Sequence, residues 1–324
     1  MMPNAKRTRA LTIAVLIAFA MASLALPVAA QDADPLGLLT PDGVPVAITR
    51  STHSGYWVTT PCGYQAHLGE GTPIYETTVV IDPGHGGMVD TGAVAPTGMP
   101  EKVLNLNVAY QVIDALTRRG IDAILTRTDD YASPLSVRAN LADTLGAEIM
   151  VSIHHNSPSP GPSREPGIEV FVQQESDLSG RLGGLLFEHA MAGLGSFNVN
   201  WVGAADAGVM TVLSTRGDDA YGIIRHPDTP TALIELGYLS NRSEAALHQT
   251  PEYLSVAGEA IADAIEDYLN TDESGSGFVR GRVFNPQPGV GRDVCVDPPL
   301  PTESPSIWSV LPWSVLPPGL PKPE

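Results

Sequence analysis

Cysteine is nearly absent from this 324-residue chain, which holds only Cys62 and Cys295. The two lack the close pairing of a zinc–thiolate centre, which argues against such a site. Cations are also scarce, with 18 Lys+Arg against 36 Asp+Glu. That imbalance argues against nucleic acid as a partner and is read as a solvated acidic surface. Long apolar runs are missing after the first thirty residues, so no later segment is expected to span a bilayer.

The one long apolar run, Leu11 to Leu26, follows Lys6, Arg7 and Arg9 and leads into Val28-Ala29-Ala30. Positive charge, a short apolar core and small residues at its end describe a secretory signal peptide over residues 1–30, cleaved after Ala30. The alternative is a retained anchor, for which the apolar core is short. No cysteine stands at the cleavage site, so a lipoprotein is not indicated. The mature chain is expected to be secreted, without stable membrane insertion, and to work as a monomer. An oxidising compartment makes Cys62–Cys295 a candidate disulfide joining the segments before and after the main domain; two unpaired thiols are the alternative.

Residues 31–76 mix Pro, Gly and Thr with β-rich pieces such as Val46-Ala47-Ile48-Thr49 and Tyr56-Trp57-Val58. They read as an irregular extension packed on the domain, with room for a hairpin. Regularity begins at Thr77, where Thr78-Val79-Val80-Ile81 has the continuous apolar character of a strand buried on both faces. Pro100-Glu101 opens a helical pattern closed by Arg118-Arg119-Gly120, with acid first, base last and glycine after. Further strands are expected at Ile121–Thr126, Ala147–Ile153, Ile168–Val172 and Thr231–Leu236. Helices are expected at Leu135–Leu145, Leu178–Leu194 and Glu252–Leu269. This alternation over residues 77–270 predicts a three-layer α/β/α domain with a central, mostly parallel sheet. Residues 271–324 form a Gly/Pro/Ser-rich tail carrying a tandem Trp-Ser-Val-Leu-Pro repeat, too dense in proline to pack as helix or sheet. A docking role for that tail is the minority reading.

Four side chains fall where strands end or helices begin, the positions at which functional groups of open α/β sheets converge. His85 follows the first strand in a Gly84-His85-Gly86-Gly87 turn, Glu101 opens the first helix, His154 ends a strand, and Glu235 sits near the end of Leu233-Ile234-Glu235-Leu236. Taken singly, a His in a Gly-rich turn and a Glu opening a helix have structural explanations, whereas a charged Glu235 inside an apolar strand is harder to dismiss because burying an unpaired carboxylate is costly. Together, two imidazoles and a carboxylate suit a zinc-type divalent ion with one position left open, and Glu235 suits proton transfer because an apolar setting raises a carboxyl pKa. His155, Asn156 and Glu169 are candidates for supporting or substrate-contacting roles, and ordinary loop or strand residues otherwise.

Over roughly Thr78 to Leu269 the chain resembles the zinc-dependent N-acetylmuramoyl-L-alanine amidases of the division and sporulation type. The resemblance rests on Ile81-Asp82-Pro83-Gly84-His85-Gly86-Gly87, Glu101, Thr126-Arg127 with Asp130, and Arg138. It continues through Ser152-Ile153-His154-His155-Asn156, Gly167-Ile168-Glu169-Val170 and Ala232 to Asn241. It implies one Zn2+ held by His85, Glu101 and His154, with Glu235 catalytic and His155 a neighbour rather than a ligand. It also implies peptidoglycan as substrate and the cell wall or periplasm as the place of action. Asp143 departs from the pattern, standing where the family commonly has Asn. Relatives can carry an inserted helix that occludes the zinc; the short, Pro-rich stretch after Asn156 and the stretch from Leu194 to Tyr221 suggest an open site here. A zinc peptidase acting within the stem peptide and a non-catalytic wall-binding protein are the rival functions.

Overall fold

The computed structural model describes residues 33–157, 162–203 and 208–270. The expected signal peptide, the 271–324 tail with its repeat, and Cys295 lie outside the described residues. Among the described residues no helix is long and apolar enough to cross a membrane.

The N-terminal segment is more regular than its sequence suggests. Strands β1 (Gly37–Leu39), β2 (Pro45–Thr52), β3 (Gly55–Thr59), β4 (Gln65–Leu68) and β5 (Thr72–Ile74) form one sheet in the order β4-β3-β2-β1-β5, with every pair antiparallel. Leu38, Val44, Val46 and Val58 close a small core of its own. The difference from the expected irregular extension has a simple cause. Most of these strands have only three to five residues, too few turns of the two-residue period to stand out between Pro and Gly.

The main domain continues with β6 (Val79–Pro83), α1 (Glu101–Arg119), β7 (Ala123–Leu125), α2 (Leu135–Thr144), β8 (Ile149–Asn156), β9 (Glu169–Val172) and α3 (Asp177–Leu194). It ends with β10 (Gly208–Met210), α4 (Gly222–Arg225), β11 (Thr231–Tyr238), α5 (Arg242–Leu247) and α6 (Pro251–Asn270). The sheet order is β10-β9-β11-β8-β6-β7, parallel throughout except where β9 meets β11. This is the expected mostly parallel α/β/α domain; β10, α4 and α5 are short additions that the sequence pattern does not announce.

Alternation along the strands feeds two cores. Val79, Ile81, Val151, Ile153 and Ile234 face the layer of α1, α3 and α6. Val80, Ile124, Met150 and Leu233 face Leu141 of α2, Leu145 just after it, Ile223 of α4, and Ala47 and Ile74 of the N-terminal sheet. Each such side chain contributes roughly 1.5–3 kcal/mol by leaving water, and the shared second core fixes the N-terminal sheet on α2. Helix α1 begins after Pro100 with Glu101 in its first turn and ends at Gly120, whose φ of 73° lets its N–H reach the carbonyls of Leu116 and Thr117. Asp143 is accommodated at the end of α2, where its Oδ1 accepts from the N–H and hydroxyl of Thr229.

Because β6, β8 and β11 run in parallel, their carboxyl ends lie along one edge. His85 follows β6, and His154 and Glu235 lie in the C-terminal halves of β8 and β11. The loop from β6 returns Glu101 to the same edge at the start of α1.

Candidate metal centre

One acceptor atom organises the cluster. Oε1 of Glu101 lies 3.2 Å from Nε2 of His85 and 3.0 Å from Nδ1 of His154, and the three candidate ligand atoms all fall within 4.8 Å of one another. Glu101 is itself held in place: its Oε2 accepts from the N–H of Ala93 at 2.8 Å, and its Oε1 from Asn105 Nδ2 and the N–H of His155, both at 3.2 Å. Burial pushes its carboxyl pKa up, but hydrogen bonds and charge from His154 and His85 outweigh this and hold it far below the usual range. Burial likewise lowers the His85 pKa, and Glu101 and Asp90 more than reverse it. The site is thus a concentrated negative potential between two imidazoles, which is what a divalent cation requires.

The turn that presents His85 is strained and braced. His85 has φ 62°, in the left-handed region that L side chains avoid, at a cost of about 1–3 kcal/mol. Its carbonyl accepts from Arg138 Nη2 at 2.8 Å, and its Nδ1 lies 2.6 Å from Asp90 Oδ1. A proton on Nδ1 would point at Asp90 and would leave the Nε2 lone pair toward the cluster once a cation replaces the contact with Glu101, the arrangement that orients metal-ligating histidines. Gly84 must be glycine, since a Cβ there would stand 2.2 Å from Cε1 and Nε2 of His154.

Beneath the turn lies a buried polar frame. Asp82 accepts from Arg138, Thr126 and Ser152; burial raises its pKa, and Arg138 with the two hydroxyls brings the balance below the ordinary value. Arg127 donates to the carbonyls of Pro83, Gly84, Lys102 and Asp129. Lys102 bridges Asp130 and the carbonyl of Gly87, while Asp130 accepts from the N–H of Gly87. The motif residues Thr126, Arg127, Asp130 and Arg138 therefore converge on the His85 turn.

Glu235 pairs in register with His154 on one side and Glu169 on the other. It is 9% exposed, and its Oε2 has no hydrogen-bond partner. Burial, then the charges of Glu101 and Glu169, push its pKa well above the carboxylate range. It lines the same cleft as His85, Glu101 and His154, a cavity of about 1120 Å³. An unpartnered buried carboxyl beside a cluster of two imidazoles and a carboxylate fits a site that holds a cation and moves a proton. Glu169 accepts from Asn156 Nδ2 at 2.6 Å next to Glu235.

The His155 side chain is buried and engaged outside the cluster. Its Nδ1 lies 2.8 Å from Asn105 Oδ1 and its Nε2 3.0 Å from the Tyr253 hydroxyl, and burial lowers its pKa to about 4. His154 thus lies with His85 and Glu101, and the His155 ring does not. Asp90 and Asn105 were not anticipated. Asn105 is visible in retrospect as the i+4 neighbour of Glu101 on one helix face, whereas Asp90 carries no signal beyond lying five residues after His85. Cys62 lies at the cleft margin; its expected partner is outside the described residues. Between Gly195 and Tyr221, β10 is the one regular element among the described residues, and no helix there covers the cluster.

Comparison with known proteins gives a consistent picture. The family model described as N-acetylmuramoyl-L-alanine amidase matches residues 79–267. The uncharacterised protein YqiI of Bacillus subtilis is 34% identical over 210 residues, covering 65% of this chain and 91% of its own. The N-acetylmuramoyl-L-alanine amidase AmiC of Neisseria meningitidis is 28% identical over 220 residues, covering 60% of this chain and 53% of its own, so this chain spans about half of that relative. Among solved structures, an N-acetylmuramoyl-L-alanine amidase from Clostridium difficile 630 is similar over 61% of this chain and 98% of its own, with 29% identity and a TM-score of 0.52.

Proposed function

Since this chain belongs to the N-acetylmuramoyl-L-alanine amidase family, we propose that it hydrolyses the amide joining the lactyl group of N-acetylmuramic acid to L-alanine of the peptidoglycan stem. The observation that carries this reading is the convergence of His85, Glu101, His154 and the unpartnered Glu235 in one cleft.

The three clustered residues are assigned to one zinc ion. Two imidazoles and a carboxylate suit a borderline-soft divalent ion, and three protein ligands leave a position open. When bound, such an ion supplies Lewis-acid polarisation of the scissile carbonyl and makes a coordinated water more acidic. The protein's own part is positional and protolytic. Asp90 orients His85, Asn105 and the His155 N–H steady Glu101, and Gly84 gives the His154 ring its room.

Glu235 takes a proton from the attacking water and delivers one to the departing nitrogen. Its raised pKa suits a group that must keep the proton between those two events. The water oxygen ends in the new lactyl carboxylate, the C–N bond breaks, and nitrogen leaves as the amino group of L-alanine. Glu169, which accepts from Asn156, flanks Glu235, and its charge adds to the burial that raises the Glu235 pKa and so makes its carboxylate a stronger base.

The chain is read as exported, with residues 1–30 removed, and as meeting its substrate outside the cytoplasm. Cys62 and Cys295 are assigned to a disulfide there; non-reducing peptide mapping that recovers them unlinked overturns that assignment. The function itself is tested by amino-terminal analysis of peptidoglycan digested with the purified chain. New L-alanine amino termini are expected, and termini from residues further along the stem would make the chain a peptidase instead.

A further inference from the structure

The five-stranded N-terminal sheet lies before residues 79–267, which the family model matches, yet it reaches the catalytic cleft. Its contribution is the turn between β3 and β4. Thr60 and Tyr64 close that turn in both directions, through Thr60 N–H to the Tyr64 carbonyl at 2.8 Å and Tyr64 N–H to Thr60 Oγ1 at 3.1 Å. The backbone is therefore fixed while the Tyr64 side chain is 58% exposed, and it lines the same cavity as His85, His154 and Glu235.

The turn stands against the start of α2. A Cβ at Gly63 would meet Val137 Cγ2 at 3.4 Å and Pro134 Cγ at 3.7 Å, and on the far side of that corner a Cβ at Gly222 would meet Leu135 Cδ1 at 2.7 Å. Beyond it Tyr221, 38% exposed, packs on Phe171 with ring centroids 4.6 Å apart. One wall of the cleft thus runs from Tyr64 over Pro134 and Leu135 to Tyr221.

The charge of this wall selects its occupant. The one Lys or Arg that lines the cleft among the described residues is Arg138, which is 2% exposed and directs its guanidinium to Asp82 and to the carbonyls of Ser133, Pro83 and His85. Stem peptides carry carboxylates, for which this wall offers no counter-charge. An uncharged pyranose ring, apolar on its faces and polar at its rim, matches exposed aromatic rings. We propose that Tyr64 forms a glycan subsite, supplied by the N-terminal sheet and continuous with the metal centre, on which a neutral sugar ring of the strand stacks. The proposal rests on the amidase reading above.

Steady-state hydrolysis by the metal-loaded full chain tests it, using two substrates with the same stem tetrapeptide. One carries a single N-acetylmuramic acid and the other a glycan strand of several disaccharides. In Tyr64→Ala the ratio of kcat/KM, strand over single sugar, falls about tenfold through KM, whereas Tyr64→Phe keeps the wild-type ratio because its ring face survives. An unchanged ratio in Tyr64→Ala, with wild-type activity present, overturns the subsite. So does a defect that follows stem length on a constant glycan, which gives the wall to the peptide. If the wild-type chain cleaves neither substrate, the amidase reading fails by itself. Calorimetric binding of the same strands to the three proteins then still decides the role of Tyr64, a tenfold weaker Kd in Tyr64→Ala supporting it and an equal Kd contradicting it.

Discussion

Glu235 and His154 are register partners on the adjacent parallel strands β11 and β8. A carboxyl with raised pKa is thereby held at a fixed lateral spacing from an imidazole of the cluster by the backbone ladder itself, not by a mobile loop. Replacing the carboxyl by an amide of the same shape leaves that ladder intact. Glu235→Gln is expected to lower kcat by about 10²–10⁴ while metal content stays at the wild-type level. A comparable loss of bound metal in this variant would move Glu235 from proton transfer to metal binding.

Asp90 lies against the far nitrogen of His85 and is half exposed, so its removal should not disturb folding. Asp90→Asn is expected to weaken metal binding by roughly 10–100-fold. Competition with a chromophoric chelator measures this, and an unaltered affinity would show that the turn orients His85 without the carboxylate.

Two glycines should behave in opposite ways. Gly84→Ala drives a methyl into the His154 ring, whereas Gly180 lies within α3 with open space at its Cβ position. The first variant is expected to lose metal and activity together. The second should be neutral or more stable by about 0.4–1 kcal/mol, as read by thermal melting.

Asp82 and Arg138 form an ion pair at 2.9 Å with both side chains almost fully buried. Arg138→Met leaves the carboxylate without its charge partner and should cost about 3–5 kcal/mol. The pair also predicts an acid response. The folded pKa of Asp82 is depressed below its ordinary 3.8, so its contribution is present above that pH and is lost as pH falls through the depressed folded value. Melting temperature should drop on acidification below about pH 4, and the drop should be shallower in Asp82→Asn. Equal slopes in the two proteins would remove Asp82 from the acid response.

Much of this site could be read from the chain because its parts sit at element boundaries. Pro100, Glu101 and Gly120 mark both ends of α1, and the apolar runs at Val79 and Ala232 mark strands whose ends carry His85 and Glu235. What escaped the sequence is of two kinds. Asp90 acts through a contact that only the folded turn brings within reach, and Asn105, although i+4 from Glu101 on α1, gains its part only once His155 and the Gly84 carbonyl meet it. The N-terminal strands are short and Pro-broken, and their partnership with α2 through Ala47 and Ile74 is a tertiary fact without a local period.

The most direct test of the central claim is mass spectrometry of muropeptides released from purified peptidoglycan by the chain as isolated, after chelation, and after zinc is restored. The account predicts stem peptides beginning with unmodified L-alanine in the first and third digests and none in the second. Undiminished release from the chelated protein, with its metal content verified as nil, would contradict it.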